Sequence, residues 1–233
     1  MKKLFFVLTG LIIMLVINGQ SLDEIVKRYT AANRLDKVSA LKTIKITGNM
    51  SMMGMQMPMT MWMKNPSKIK TVTSFNGQEM IQVFDGVKGY MVNPMTGSTA
   101  PVEMTSEEIK QIMRTNMFQN YLALYLKKGQ LSAAGEEKVN DKPAFKLKAT
   151  LEGGDIIDLF IEKSSYLMVK VSTMVTANGM TMTVNTFPSE YTETNGFIVP
   201  MKTTVSAQAM QIVMNFTKVE VDIPMDDGLF KLN

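Results

Sequence analysis

The chain has 233 residues, with 25 basic and 21 acidic side chains, 24 methionines, one tryptophan, and neither histidine nor cysteine. Without His and Cys there is no imidazole base, no common zinc ligand and no thiolate nucleophile; disulfides and the acylated cysteine of a lipoprotein are excluded as well. Setting aside Lys2 and Lys3 leaves 23 basic against 21 acidic residues, with no basic stripe interleaved with aromatics, so no nucleic-acid partner is expected.

Lys2 and Lys3 precede an apolar run from Leu4 to Ile17, broken only by Thr9 and Gly10, and the small polar segment Asn18-Gly19-Gln20-Ser21 follows. This layout predicts a secretory signal peptide over 1–20, cut after Gly19 or Gln20. The run is short for a membrane span; an uncleaved anchor is the alternative. No low-complexity linker divides residues 21–233, which are expected to form one domain, soluble and not lipid-anchored.

Ser21-Leu22-Asp23-Glu24 reads as a capping box, and Leu22, Ile25, Val26 and Tyr29 recur at helical spacing, predicting an amphipathic helix over 21 to about 34. From Leu41 the period becomes two. Ile44, Ile46, Met50 and Met52 share one parity, and Thr43, Lys45, Thr47, Asn49 and Ser51 take the other. After a turn at 54–56, Met57, Met59, Met61 and Met63 line one face of the next strand, opposite Pro58, Thr60, Trp62 and Lys64. Asn65-Pro66, Asn76-Gly77, Asp85-Gly86 and Asn93-Pro94 punctuate short strands near 67–75, 78–84 and 88–93.

Thr105-Ser106-Glu107-Glu108 is a second capping box. Ile109, Ile112, Met113 and Met117 continue at helical spacing, and the apolar run 121–126 extends the segment until Gly129. Strands are predicted again near 133–140, 143–151, 155–163, 166–177, 180–188, 196–206 and 209–223, with turns at Gly153-Gly154, Asn178-Gly179 and Asn195-Gly196. The ending Pro224–Phe230 is read as a turn that tucks Leu229 and Phe230 against the body. The sum is a mainly β, α+β protein: an antiparallel meander of about 10–12 strands with one N-terminal helix and one inserted helical segment.

Eight methionines fall between Met50 and Met63. They could be ordinary core, since methionine fills irregular gaps. They could line a cavity for an acyl chain, because a flexible thioether face re-packs around variable apolar guests and each buried methylene is worth about 0.8 kcal/mol. They could bind Cu(I) through soft sulfur, although methionines of period two lie about 7 Å apart along a strand and no other soft ligand accompanies them.

The opening helix leading into residues 41–48, the methionine hairpin, the stretches 82–94 and 160–167, and the ending 223–230 together resemble the periplasmic outer-membrane lipoprotein carrier and sorting proteins of LolA/LolB-like fold, in the variant common in Bacteroidetes-type bacteria. The resemblance covers nearly all of residues 21–233 and rests on fold-level signatures. It implies a half-open antiparallel β-barrel closed by a helical lid, an apolar cavity for lipoprotein acyl chains, and neither enzymatic activity nor a cofactor. Carriers of that family hold the lid with an arginine on an early strand; here those strands carry Lys42, Lys45 and Lys64, and the arginines are Arg28, Arg34 and Arg114.

The expected protein is therefore a periplasmic, monomeric, non-enzymatic carrier of lipoprotein acyl chains or another lipid, passing cargo from an inner-membrane donor to an outer-membrane acceptor. A sensory or protein-binding module on the same fold and a methionine-rich Cu(I)-binding protein are the alternatives. The expected lining is Ile44, Ile46, Met50, Met52, Met57, Met59, Met61 and Met63 from the first hairpin. Phe84, Met113, Leu122, Leu126, Met182, Met210, Ile212 and Met214 are added from elsewhere. No metal site or catalytic residue is expected.

Overall fold

The structure, a computed structural model, describes residues 20–94, 99–177 and 180–232. The expected signal peptide up to residue 19 and the Asn178-Gly179 turn lie outside the described residues.

Helix α1 (Leu22–Asn33) starts at Ser21, whose Oγ accepts the Glu24 N–H at 3.2 Å; the Glu24 carboxylate turns to Arg28 Nε at 2.6 Å. Arg34 takes a left-handed backbone (φ 52°) and ends the helix, its guanidinium held by Glu193 and the Gly196 carbonyl. A short second helix, α2 (Leu35–Ala40), follows; the sequence pattern did not predict it.

Six strands then form a meander: β1 (Thr43–Met52), β2 (Met55–Lys64), β3 (Lys68–Phe75), β4 (Gln78–Phe84), β5 (Gly89–Val92) and the two-residue β6 (Val102–Glu103). The helical insert comes next as α3 (Ser106–Met113) and α4 (Tyr121–Lys127). A second meander completes the chain: β7 (Leu131–Val139), β8 (Lys142–Thr150), β9 (Ile156–Glu162), β10 (Met168–Ala177), β11 (Met180–Thr194), β12 (Phe197–Ala207) and β13 (Met210–Val221). β13 pairs antiparallel with β1, which joins the two meanders into one 13-stranded sheet, β6-β5-β4-β3-β2-β1-β13-β12-β11-β10-β9-β8-β7. Its free edges are β6 and β7, the two strands the insert connects. This is a half-open antiparallel barrel with a helical lid.

Two local expectations change. The insert is broken between its helices because Asn116 diverts the backbone: its Oδ1 accepts the Phe118 N–H at 3.0 Å and its Nδ2 donates to the Pro66 carbonyl at 2.8 Å. Asn120 then caps α4 through the Ala123 N–H. Strand β11, expected to stop at Pro188, runs on to Thr194. Pairing with β12 from Val184–Ala207 through Thr194–Phe197 outweighs the missing N–H, and the left-handed Glu190 (φ 54°) absorbs the irregularity.

So wide a sheet curls under its own twist, and bulges sharpen the bend. One lies where β1 Thr47/Gly48 meets β13, leaving Thr217 between the paired residues Phe216 and Lys218. Gly48 sits so close to β13 that a Cβ there would lie 2.2 Å from the Asn215 carbonyl oxygen.

The concave face carries two cores. α1 and α4 cover Phe145, Leu147, Ala149, Ile157, Leu159 and Ile161 of β8 and β9. α2, α3 and Phe118 cover Ile44, Ile46, Met63, Ile69, Phe84, Phe197 and Val199 around β1–β4 and β12. On the outer face, Lys146 and Lys170 flank the ring of the buried Phe160 at 5.3 and 4.7 Å from its centroid. Trp62, whose register puts it on the face opposite the methionines, has Lys45 at 6.0 Å. The C-terminal tail buries Phe230 and half-buries Leu229, and Asp227 pairs with Lys64 at 2.7 Å and Lys68 at 3.0 Å.

Gly48→Ala is expected to lower unfolding free energy by about 1–3 kcal/mol, as overpacking against a fixed backbone does, measured by urea denaturation. The Lys64 and Lys68 ammonium groups hold the Asp227 carboxyl down to about 2 from its ordinary 3.8. Tail docking is therefore fully supported above the ordinary value and weakens as pH falls toward 2. Amide exchange at 227–231 should accelerate across that window, and Asp227→Asn should flatten the dependence.

Candidate functional site

Period-two strands place Met50 opposite Met57 and Met214, Gly48 opposite Met59, and Ile46 opposite Met61. Thr73 and Thr71 of β3 face Met59 and Met61 in turn and lead on to Met80 and Gln82 of β4, with Met91 of β5 opposite Gln82. The row bends around a cavity of about 460 Å³ lined by seven methionines: Met50, Met59, Met61, Met80, Met91, Met104 and Met214. Met104 reaches it because Gly89 has no side chain; a Cβ there would lie 2.8 Å from the Met104 sulfur. The lid wall consists of Glu108, Gln111, Ile112 and Thr115, spaced as one face of α3 and the turn after it.

Among the described residues, Glu108 is the cavity's only acidic side chain and no Lys or Arg lines the space. The Glu108 carboxylate is already engaged: it accepts the Thr105 N–H at 2.7 Å and the Thr105 hydroxyl at 2.8 Å, completing the capping box. It is a soft apolar chamber whose one charge serves a helix cap.

A second chamber of about 340 Å³ lies beyond Thr115, which lines both. It is bounded by α1, α2, the α3–α4 connection and strands β9–β12, and four tyrosines face it: Tyr29, Tyr121, Tyr125 and Tyr191. Tyr121 donates to the Met113 carbonyl and Tyr191 to the Met168 carbonyl at 2.7 Å. Among the described residues, no hydrogen bond reaches the hydroxyl of Tyr29 or of Tyr125, although Tyr125 is only 8 % exposed. Arg114 also lines this chamber, and its Nη2 meets Asp155 Oδ2 at 3.3 Å. Burial pushes the phenols of Tyr29 and Tyr121 up to about 12 and raises those of Tyr125 and Tyr191.

Three polar contacts tie the insert down around these chambers. Asn116 binds the β2–β3 turn at Pro66, Asn120 Nδ2 donates to Thr30 Oγ1 of α1 at 2.8 Å, and Arg114 pairs with Asp155 before β9. A larger concavity of about 610 Å³ lies on the outer face around Val169 and Phe187. Its rim carries the ion pairs Lys142–Glu162 and Lys202–Glu190, and no helix covers it, so the lidded chambers are the better candidate site.

Of the residues expected to line a cavity, Met50, Met59, Met61 and Met214 border the methionine chamber and Leu122 the tyrosine chamber. Ile44, Ile46, Met63 and Phe84 are core beneath the lid, and Met113 packs partly buried against them. Met57 is buried without bordering either chamber, and Leu126 packs against the α1–α4 core. Met52, Met182 and Ile212 are half-buried outside both chambers, and Met210, at the β12–β13 turn, is 49 % exposed. The pattern missed Met80, Met91 and Met104; the parities of β4 and β5 carried the signal for the first two. It also missed the tyrosine chamber, which no local pattern encodes.

Comparison with solved structures places this architecture. A LolA superfamily protein from Nitrosomonas europaea superposes with a TM-score of 0.60 over 92 % of this chain and 99 % of its own, at 10 % identity. The fold is LolA-like. A DUF1329 family protein from Desulfovibrio piger gives 0.60 over 89 % and 97 % at 12 % identity. An outer membrane lipoprotein-sorting protein domain from Vibrio parahaemolyticus gives 0.58 over 90 % and 97 % at 10 % identity. No family model matches the sequence, and no curated protein does. At such identities the likeness concerns the fold. No helix among the described residues is long and apolar enough to cross a membrane.

The raised phenols have a consequence for alkaline stability. The folded state holds its protons above the ordinary tyrosine value of 10, so stability is full below that pH and falls as pH rises toward 12. The melting temperature should drop between pH 10 and 12, with tyrosinate absorbance appearing together with unfolding, and Tyr191→Phe should lessen the pH-dependent part of the drop.

Proposed function

We propose that this protein is an exported carrier, directed to the periplasm by residues 1–20, that takes the acyl chains of lipoproteins or of another lipid into the lidded cavity for transfer towards the outer membrane. The observation that carries the reading is the methionine chamber itself. Seven thioethers from five strands and the start of the insert surround a space of a size typical of ligand pockets, with no charge left unengaged. A cavity so lined adapts to a flexible chain, whereas packing alone favours branched aliphatics with fewer rotamers. The likeness to a lipoprotein-sorting domain supports the same reading.

The role we propose is binding rather than catalysis, since a chain without His or Cys lacks the imidazole base and the thiolate nucleophile. Cargo enters from an inner-membrane donor and leaves to an outer-membrane acceptor, with a monomer as the carrier.

The test is twofold. Protein purified from its own host and extracted for mass spectrometry should yield lipid, and delipidated protein should take up a fluorescent fatty acid. Affinity should rise with chain length by at most about fourfold per methylene, the equivalent of ~0.8 kcal/mol, until the cavity is full. A Met50/Met59/Met61→Leu variant keeps the apolar volume and should keep uptake, whereas Met61→Glu should abolish it. Absence of lipid together with absence of uptake would sink the carrier reading, and Cu(I) binding in a competition assay that a Met57/Met59/Met61→Leu variant loses would point to sulfur ligation instead.

A further inference from the structure

The two chambers under the lid differ in chemistry and share Thr115 in their linings. One offers thioethers; the other offers proton donors. In the second, Tyr29 and Tyr125 present hydroxyls without a protein partner among the described residues, and Tyr125 is more than nine-tenths buried. Arg114 stands in the same wall. A guanidinium has five N–H donors, yet Arg114 makes a single side-chain contact, to the half-exposed Asp155. Among the described residues, no acidic side chain borders this chamber. Because burial raises both phenols, they remain donors throughout the physiological range. Phenolic donors and one cation facing a space whose described lining holds no carboxylate are complementary to an oxyanion.

We propose that the tyrosine chamber binds the oxyanion head, a carboxylate or a phosphate, of a single-chain amphiphile whose tail passes Thr115 into the methionine chamber. The proposal rests on the acyl-chain reading above and sharpens it towards a free anionic lipid. Arg114 supplies the charge, exchanging or sharing its contact with Asp155, and the hydroxyls of Tyr29 and Tyr125 donate to the head. Tyr121 and Tyr191, bonded to backbone carbonyls, shape the wall.

The experiment compares binding of palmitate, hexadecyl phosphate and methyl palmitate to delipidated full-length protein by competition with a fluorescent fatty acid. At least one anion should bind about tenfold or more tighter than the uncharged ester, the equivalent of ~1.4 kcal/mol. The ranking of the two anions identifies the head. Arg114→Gln, and separately the Tyr29→Phe/Tyr125→Phe pair, should narrow the preference by lowering anion affinity more than ester affinity, and an unchanged circular dichroism spectrum reports an intact fold. If the ester binds as tightly as both anions, or the variants weaken ester and anion alike, the head site is overturned and the acyl-chain reading survives. Binding of none of the three overturns both.

Discussion

The pairing of β1 with β13 is the contact on which the rest of the structure depends. Each meander is built from local hairpins, but only this ladder between the chain's first and last strands joins them into one sheet. It sets Met50 beside Met214 and moves the methionine hairpin from an edge to the middle of the sheet. The close approach at Gly48 and the bulge at Thr217 bend the sheet at that seam. The concavity, and everything lodged in it, follows from the bend.

A curved sheet of this width leaves two problems: open edges and an apolar inner face. The insert between β6 and β7 addresses both, because it links the two edge strands and lies across the hollow between them. β6 is two residues long, and β7 carries Glu136, Glu137 and Lys138 on an exposed edge, which discourages pairing with another chain. The lid is held by polar ties at Asn116, Asn120 and Arg114 and by the buried Ile112, Phe118, Leu122 and Tyr125, with Ile109, Met113 and Met117 packed partly buried beside them. The carrier role proposed above requires this insert to move without unfolding the sheet beneath it.

The division of the hollow at Thr115 gives the site its chemistry. One chamber offers flexible thioethers, which on the proposed reading take up an acyl chain. The other offers phenols and a guanidinium, which on that reading orient the guest by donating to its head. The two linings come from different parts of the chain, the first from β1–β5, β13 and α3, the second from α1, α2, the α3–α4 connection, α4 and β9–β12.

Much of the fold was legible in the chain. Alternation from Met57 to Met63 assigned a strand with two unlike faces, and Thr105 with Glu108 marked the start of the lid, because both are properties of a few consecutive residues. The breaks in the helical segments were not legible: Asn116 ends one helix only because the Pro66 carbonyl lies within reach. Nor was the site. Met57, Met59, Met61 and Met63 share one face, yet Met59 and Met61 border the chamber while Met57 and Met63 are packed core. Sequence by itself determined which residues face inward, since side-chain direction follows from backbone period. Only the tertiary structure decided which inward residues line open space and brought Tyr29, Arg114, Tyr125 and Tyr191 to one wall, because a cavity is defined by what packs across from a residue, and here that partner is a lid from the middle of the chain.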